Sequence, residues 1–318
     1  MFGANSRRFL MTDPSYVARF GDPFRPLEPE CRVVQFAAPL TRAQLRAAGD
    51  LVADRPDVEL YVYGDASRDL DFLEHFPTVR RLHVALYELA DVSGLVHVRG
   101  GLEAFVFGKT KAKFSLRFLE SLPALTRLFL VGHRKDVAAV QALAKLRSLG
   151  LSGITLPDLS VLLPLARLRT LQLLLGSTGD LSLLPRLGAL EELLLMRITR
   201  LSDLGVLADL HGLKSLHLDW MRNVTALPSL APLTRLESVE LGTMKGLADL
   251  APVAAAPALR RLAVADMPLL TADSFRCLVG HPNLRELWVE TGKRGVDAAV
   301  RRMFPAIVRD GLRTAAPA

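Results

Sequence analysis

The sequence predicts an α/β fold of the solenoid kind. One short strand per repeat would stack into a right-handed parallel sheet, with tight turns or very short helices on the opposite side. Three observations predict it. A Leu-x-x-Leu-x-Leu pattern recurs along the chain, its copies are spaced almost evenly, and hydrophobic residues make up 50% of the 318 residues while aromatics make up only 6%. A core built almost wholly from Leu, Val and Ala suits repetition of one small unit better than a single compact globule.

The clearest copies begin at Leu125-Leu128-Leu130, Leu146-Leu149-Leu151, Leu168-Leu171-Leu173 and Leu190-Leu193-Leu195. They continue at Leu213-Leu216-Leu218, Leu236-Val239-Leu241, Leu259-Leu262-Val264 and Leu284-Leu287-Val289. Weaker copies stand at Val79-Leu82-Val84 and Leu102-Phe105-Phe107. From Leu125 onward the first positions are 21, 22, 22, 23, 23, 23 and 25 residues apart. The second half of each repeat recurs too, at Asp158-Leu159-Ser160, Asp180-Leu181-Ser182, Asp203-Leu204-Gly205 and Asp249-Leu250-Ala251. Aspartate is expected there as a helical N-cap, its carboxylate accepting free N–H groups of the first turn. Pro164, Pro185 and Pro252 follow closely. Proline fits the start of a turn but blocks a long helix, so only 3₁₀ turns or very short helices are expected.

On these residues, over about 79–291, the chain resembles the short leucine-rich repeats of bacterial internalins and of the regulatory subunit of type 1 protein phosphatase. The resemblance implies a leucine-rich-repeat solenoid with a protein-binding role. One position departs from it. Where those repeats place Asn, three residues after the third Leu, this chain has Ile154, Gly176, Ile198, Met221, Met244 and Met267. The turn is therefore expected to be held by packing.

A solenoid exposes its core at both ends and needs caps. Residues 1–30 read as an N-terminal extension. Residues 31–56 read as the first cap, with a strand Arg32–Ala37 and a helix from Thr41, its N-cap, to Ala53, carrying Leu45, Leu51 and Val52 on its apolar side. Repeats fill 57–291. A strand near Val58–Tyr63 has two possible registers, with Leu60 and Val62 or Tyr61 and Tyr63 facing inward. Residues 292–318 hold a closing helix over 295–311, with Val296, Val300, Met303, Phe304 and Ile307 on one stripe, Arg301, Arg302 and Arg309 exposed, and a kink at Pro305.

Residues between the consensus leucines face the concave side, because side chains alternate across a strand. Neighbouring strands lie about 4.8 Å apart, so equal repeat positions form ladders. Just after the first Leu runs Arg147, Arg169, Glu191, Lys214, Glu237, Arg260, Arg285, whose alternating charges predict cross-strand ion pairs. Further along the strands, Leu174, Leu194 and Met196 should meet on the exposed face, with Leu175 and Trp220 at its edge. Such a contiguous apolar patch marks an interaction site. The expected partner site is Leu174, Glu192, Leu194, Met196, His217, Asp219, Trp220 and Glu240, the acids forming a rim for basic groups of a protein partner.

Other chemistry has less support. His217, Asp219 and Glu240 share a face and raise the alternative of a hydrolase or metalloprotein, yet no second His or Cys joins them, as a transition-metal site wants. There is no GxxxxGK[ST], HExxH or GxSxG motif, and repeats and caps take up nearly the whole sequence. A non-enzymatic scaffold with no metal and no cofactor is expected. The net charge of +7 raises the further alternative of RNA binding, but the basic residues are scattered apart from Lys109, Lys111 and Lys113, so nucleic acid is not expected. Frequent Ala, Gly and Pro, with Arg in excess of Lys, fit a GC-rich bacterial source. Cys31 and Cys277 make no disulfide framework, residues 1–30 lack the apolar run of a signal peptide, and no stretch reaches membrane-spanning length. The expected location is the cytoplasm.

Overall fold

The computed structural model describes residues 17–19, 27 and 29–309. The fold is a leucine-rich-repeat solenoid: short parallel strands in chain order, one per repeat, most of them joined by tight 3₁₀ segments. The chain falls into two compact units, one running to Leu151 and the other beginning at Ser152.

The first unit holds β1 (Val17–Arg19), β2 (Val33–Ala37), α1 (Arg42–Val52), β3 (Glu59–Gly64), β4 (Arg81–Leu86), β5 (Ala104–Phe107) and β6 (Arg127–Val131). Strand β7 (Ser148–Ser152) ends where the second unit starts. Every pairing from β1 to β6 is parallel and without a register slip. Because β1 pairs with β2, the sheet extends into the segment expected to be an extension; most of 1–30 lies outside the described residues. Helix α1 starts where the sequence places it. The Thr41 hydroxyl accepts the Gln44 amide, and the Gln44 side chain accepts the Thr41 amide in return. The open register of β3 resolves with Leu60 and Val62 buried and the tyrosines half-buried. A tyrosine hydroxyl in the leucine core would lack a partner, whereas on the other face it reaches water.

The second unit holds β8 (Thr170–Leu174), β9 (Glu192–Met196), β10 (Ser215–Asp219), β11 (Ser238–Gly242), the one-turn α2 (Ala251–Ala254), β12 (Arg261–Ala265), β13 (Glu286–Glu290), α3 (Arg294–Met303) and β14 (Val308–Arg309). Its strands also pair in parallel and in sequence order. The consensus residues Leu171, Leu193, Leu216, Val239, Leu262 and Leu287 form one buried ladder, and Leu173, Leu195, Leu218, Leu241, Val264 and Val289 a second.

The aspartates of the second half-repeat act differently from expectation. Asp158, Asp180, Asp203 and Asp249 each accept the N–H two residues on, at 2.7–2.8 Å. This is an Asx turn, which bends the chain ahead of the 3₁₀ or one-turn α-helical segment; the N-cap itself is a leucine, buried at Leu159, Leu204 and Leu250 and half-buried at Leu183. Where Asn is missing, packing takes over as expected: Ile154, Ile198, Met221, Met244 and Met267 are all buried, and the Met244 amide donates to the Met267 sulfur at 3.3 Å.

The closing helix is shorter than expected. It ends at Met303, so Pro305 follows the helix instead of kinking it, because a proline disfavours helical geometry at the residue before it, here Phe304. The chain then turns, and Val308–Arg309 pairs with β13. Residues 310 and 311 of the expected helix lie outside the described residues.

The two faces of β9 give a direct test. Leu193 is 2% exposed, whereas its neighbour Leu194 is half-buried on the other face. Leu193→Ala should cost about 2–5 kcal/mol in a urea titration. Leu194→Ala should cost much less, and equal losses would put the register in error.

Candidate functional site

The open face of β8–β11 is assembled as the ladders require. Gln172, Leu194, His217 and Glu240 stand side by side on one rung, and Leu174, Met196, Asp219 and Gly242 on the next. Leu194 and Met196 are half-buried and present apolar surface. Leu174 corrects the sequence expectation, since it is only 4% exposed and contributes support to the patch more than contact area. Its rung neighbour Met196 lies one strand spacing away, a contact that alternation along a single strand does not reveal. Glu192 is exposed and accepts the Thr170 hydroxyl at 3.1 Å.

Just beyond the strands, Leu175, Arg197, Trp220, Thr243 and Asp266 occupy the same repeat position, all with φ between 47° and 55°. Left-handed backbone costs a residue with a side chain about 1–2 kcal/mol. Each amide is repaid with a bond to the next repeat: Leu175 donates to Met196, Arg197 to Asp219, Trp220 to Gly242, Thr243 to Ala265 and Asp266 to Glu290, at 2.9–3.0 Å. This turn sets the side chains at the strand end. Leu175 is 41% and Trp220 42% exposed, and the Arg197 guanidinium lies 5.8 Å from the Trp220 ring centre. Trp220 therefore does not fold away beneath its own turn. Sequence reading missed Arg197, although its repeat position, shared with Trp220, carries the signal.

His217 Nδ1 lies 3.3 Å from Glu240 Oε2. Asp219 does not join this pair. It sits on the next rung between Met196 and Gly242, only 4% exposed. Its carboxylate fills the space that a side chain on residue 242 would occupy, with Oδ1 2.5 Å from the ideal Cβ position of Gly242. So Asp219 is removed from the expected acidic rim, and the cause is the glycine in the neighbouring repeat. Oδ1 is buried with no hydrogen-bond partner among the described residues. Burial pushes the Asp219 carboxyl up to about 6; the Asp266 and Glu240 carboxylates add to the rise, and hydrogen bonds from Thr243 and the Trp220 amide oppose it. Among the described residues, no three His, Cys, Asp or Glu side chains are grouped to hold a metal ion.

The charged ladder forms in part. Glu191 bridges Arg169 at 3.2 Å and Lys214 at 3.1 Å, whereas Glu237 makes no ion pair among the described residues. Exposed pairs of this kind contribute about 0–1 kcal/mol each. Among the described residues, no helix is long and apolar enough to cross a membrane.

No family model matches the chain. No curated protein matches it either. Solved structures do. An internalin (inlF) from Listeria monocytogenes aligns with a TM-score of 0.55 at 17% identity, over 82% of this chain and 81% of that one. The Leptospira interrogans leucine-rich-repeat protein LIC12759 aligns with a TM-score of 0.47 at 15% identity, over 87% of this chain and 89% of that one. At 17% identity the likeness to the internalin is one of fold.

The buried acid makes stability depend on pH. The folded-state value of Asp219 lies above the ordinary 3.8, so its contribution is fully present below pH 3.8 and is lost as pH rises through about 6. The loss amounts to as much as about 3 kcal/mol. Asp219→Asn should therefore be more stable than the parent in urea at about pH 8, with the difference shrinking toward about pH 4. A difference that stays constant with pH would mean that Asp219 ionises without penalty.

Proposed function

We propose that this chain is a non-enzymatic protein-binding scaffold, regulator or inhibitor acting through the open face and strand ends of its second unit. The observation that carries the reading is the pair of large exposed apolar residues at one repeat position, Leu175 and Trp220, on either side of Arg197, with Leu194 and Met196 on β9 between them. Contiguous exposed apolar surface is costly to leave in water and marks contact sites. A tryptophan with an arginine over its ring also has the composition of an interface hot spot. Glu192 and Glu240 border this surface and favour basic groups on the partner; Asp219, being buried, does not take part in that attraction. The hydrolase alternative gains no support, because Asp219 lies one rung beyond the His217–Glu240 pair, buried against Gly242. On composition, we also take the protein to act in the cytoplasm of a bacterium.

The test uses Leu194→Asp and Trp220→Ala, each checked for native folding by circular dichroism. The full chain is then used to capture its partner from the cells that express it. Each variant should weaken capture, Trp220→Ala by about 2 kcal/mol or more, and added salt should weaken it further. Full affinity in both folded variants would rule out this face.

A further inference from the structure

The first unit carries a charged cluster that the proposed function does not use. On one rung of its open face, Glu59, Arg81, Ala104 and Arg127 stand side by side on β3, β4, β5 and β6. Ala104 is buried and lies between two half-buried arginines. Two strand spacings separate the arginines, about 10 Å between backbones, and their long side chains can converge over the alanine. Burial, then repulsion from Arg81, pushes the Arg127 guanidinium below its usual range, which fits two cations held close together.

Nearby carboxylates do not satisfy them. Glu103 is committed to Arg80 at 2.9 Å. Glu59 is buried and meets His83 Nδ1 at 3.6 Å. Both act on Arg127 only through space, and among the described residues neither Arg81 nor Arg127 makes a side-chain hydrogen bond or ion pair. On the neighbouring rung Tyr61 stacks on His83 at 4.2 Å, giving the cluster a flat wall. Two partly desolvated guanidiniums side by side are unfavourable alone and become favourable around a shared anion.

We propose that Arg81 and Arg127 form a clamp for a single oxyanion, a phosphoryl or carboxylate group, on the open face of the first unit. Each planar guanidinium offers a fork of N–H donors, and two forks can enclose one such group. The two arginines and Glu59 sum to +1, which suits one anionic group better than a polyanionic strand.

The full chain is titrated by calorimetry with inorganic phosphate and, separately, with acetate, at constant ionic strength set by chloride. Saturable binding at one site per chain is expected for at least one of the two. Phosphate alone would identify a phosphoryl group, and acetate binding at the same site a carboxylate. Arg81→Gln and Arg127→Gln should each weaken binding by about tenfold. Arg127→Lys, which keeps the charge and the packing but removes the fork, should also weaken it. Absence of saturable binding by either anion would overturn the proposal, as would undiminished binding in the folded Arg81→Gln/Arg127→Gln protein. Parent-like binding by Arg127→Lys would also overturn it, by reducing the effect to general charge attraction.

Discussion

The structure depends on burial of consensus leucines between neighbouring repeats. No single repeat can cover its own apolar residues; Leu193 is shielded only because strands on both sides present the same residue type at the same height. Burying such a side chain contributes about 1.5–3 kcal/mol, and the ladder repeats that gain at every step. Stability is then close to a sum over neighbours. The same constraint fixes register, because a one-residue slip would turn each leucine ladder into the open face and expose it.

A second constraint follows from it. From β6 through β12, the chain leaves each strand through a left-handed residue. Elsewhere that position favours glycine, as at Gly132 and Gly153. After β8 to β12 it is Leu175, Arg197, Trp220, Thr243 and Asp266. Thr243 is the most costly of these in backbone terms, since β-branched residues rarely adopt positive φ. Yet its side chain hydrogen-bonds Asp219, whose carboxylate occupies the space left by Gly242. Exposed Trp220 and buried Asp219 are thus consequences of one turn seen from its two sides.

Much of this was legible in the sequence, because solenoid contacts are translational. The rung pairings of Leu194 with His217 and of His217 with Glu240 follow from repeat spacing alone. What was not legible depends on side-chain size in the neighbouring repeat. Leu174 and Asp219 occupy outward positions and are nonetheless buried, one beside Met196 and the other against a glycine. The end of α3 was misplaced for a different reason: its apolar stripe continues to Ile307 while Pro305 stops the backbone at Met303. The Arg81–Arg127 pair escaped because its two members lie in repeats separated by a third, and no run of charge in the sequence announces them.

The central claim is that repeat register assigns every strand and turn residue to one of two faces. Methionine oxidation tests it without knowledge of any partner. Met196 stands half-buried on the open face, whereas Met221, Met244 and Met267 lie fully buried where the absent asparagines would be. In brief peroxide treatment of the folded chain, followed by peptide mass spectrometry, Met196 should convert to the sulfoxide well before the other three. Oxidation of Met221, Met244 or Met267 as fast as Met196 would contradict the register and the faces built on it.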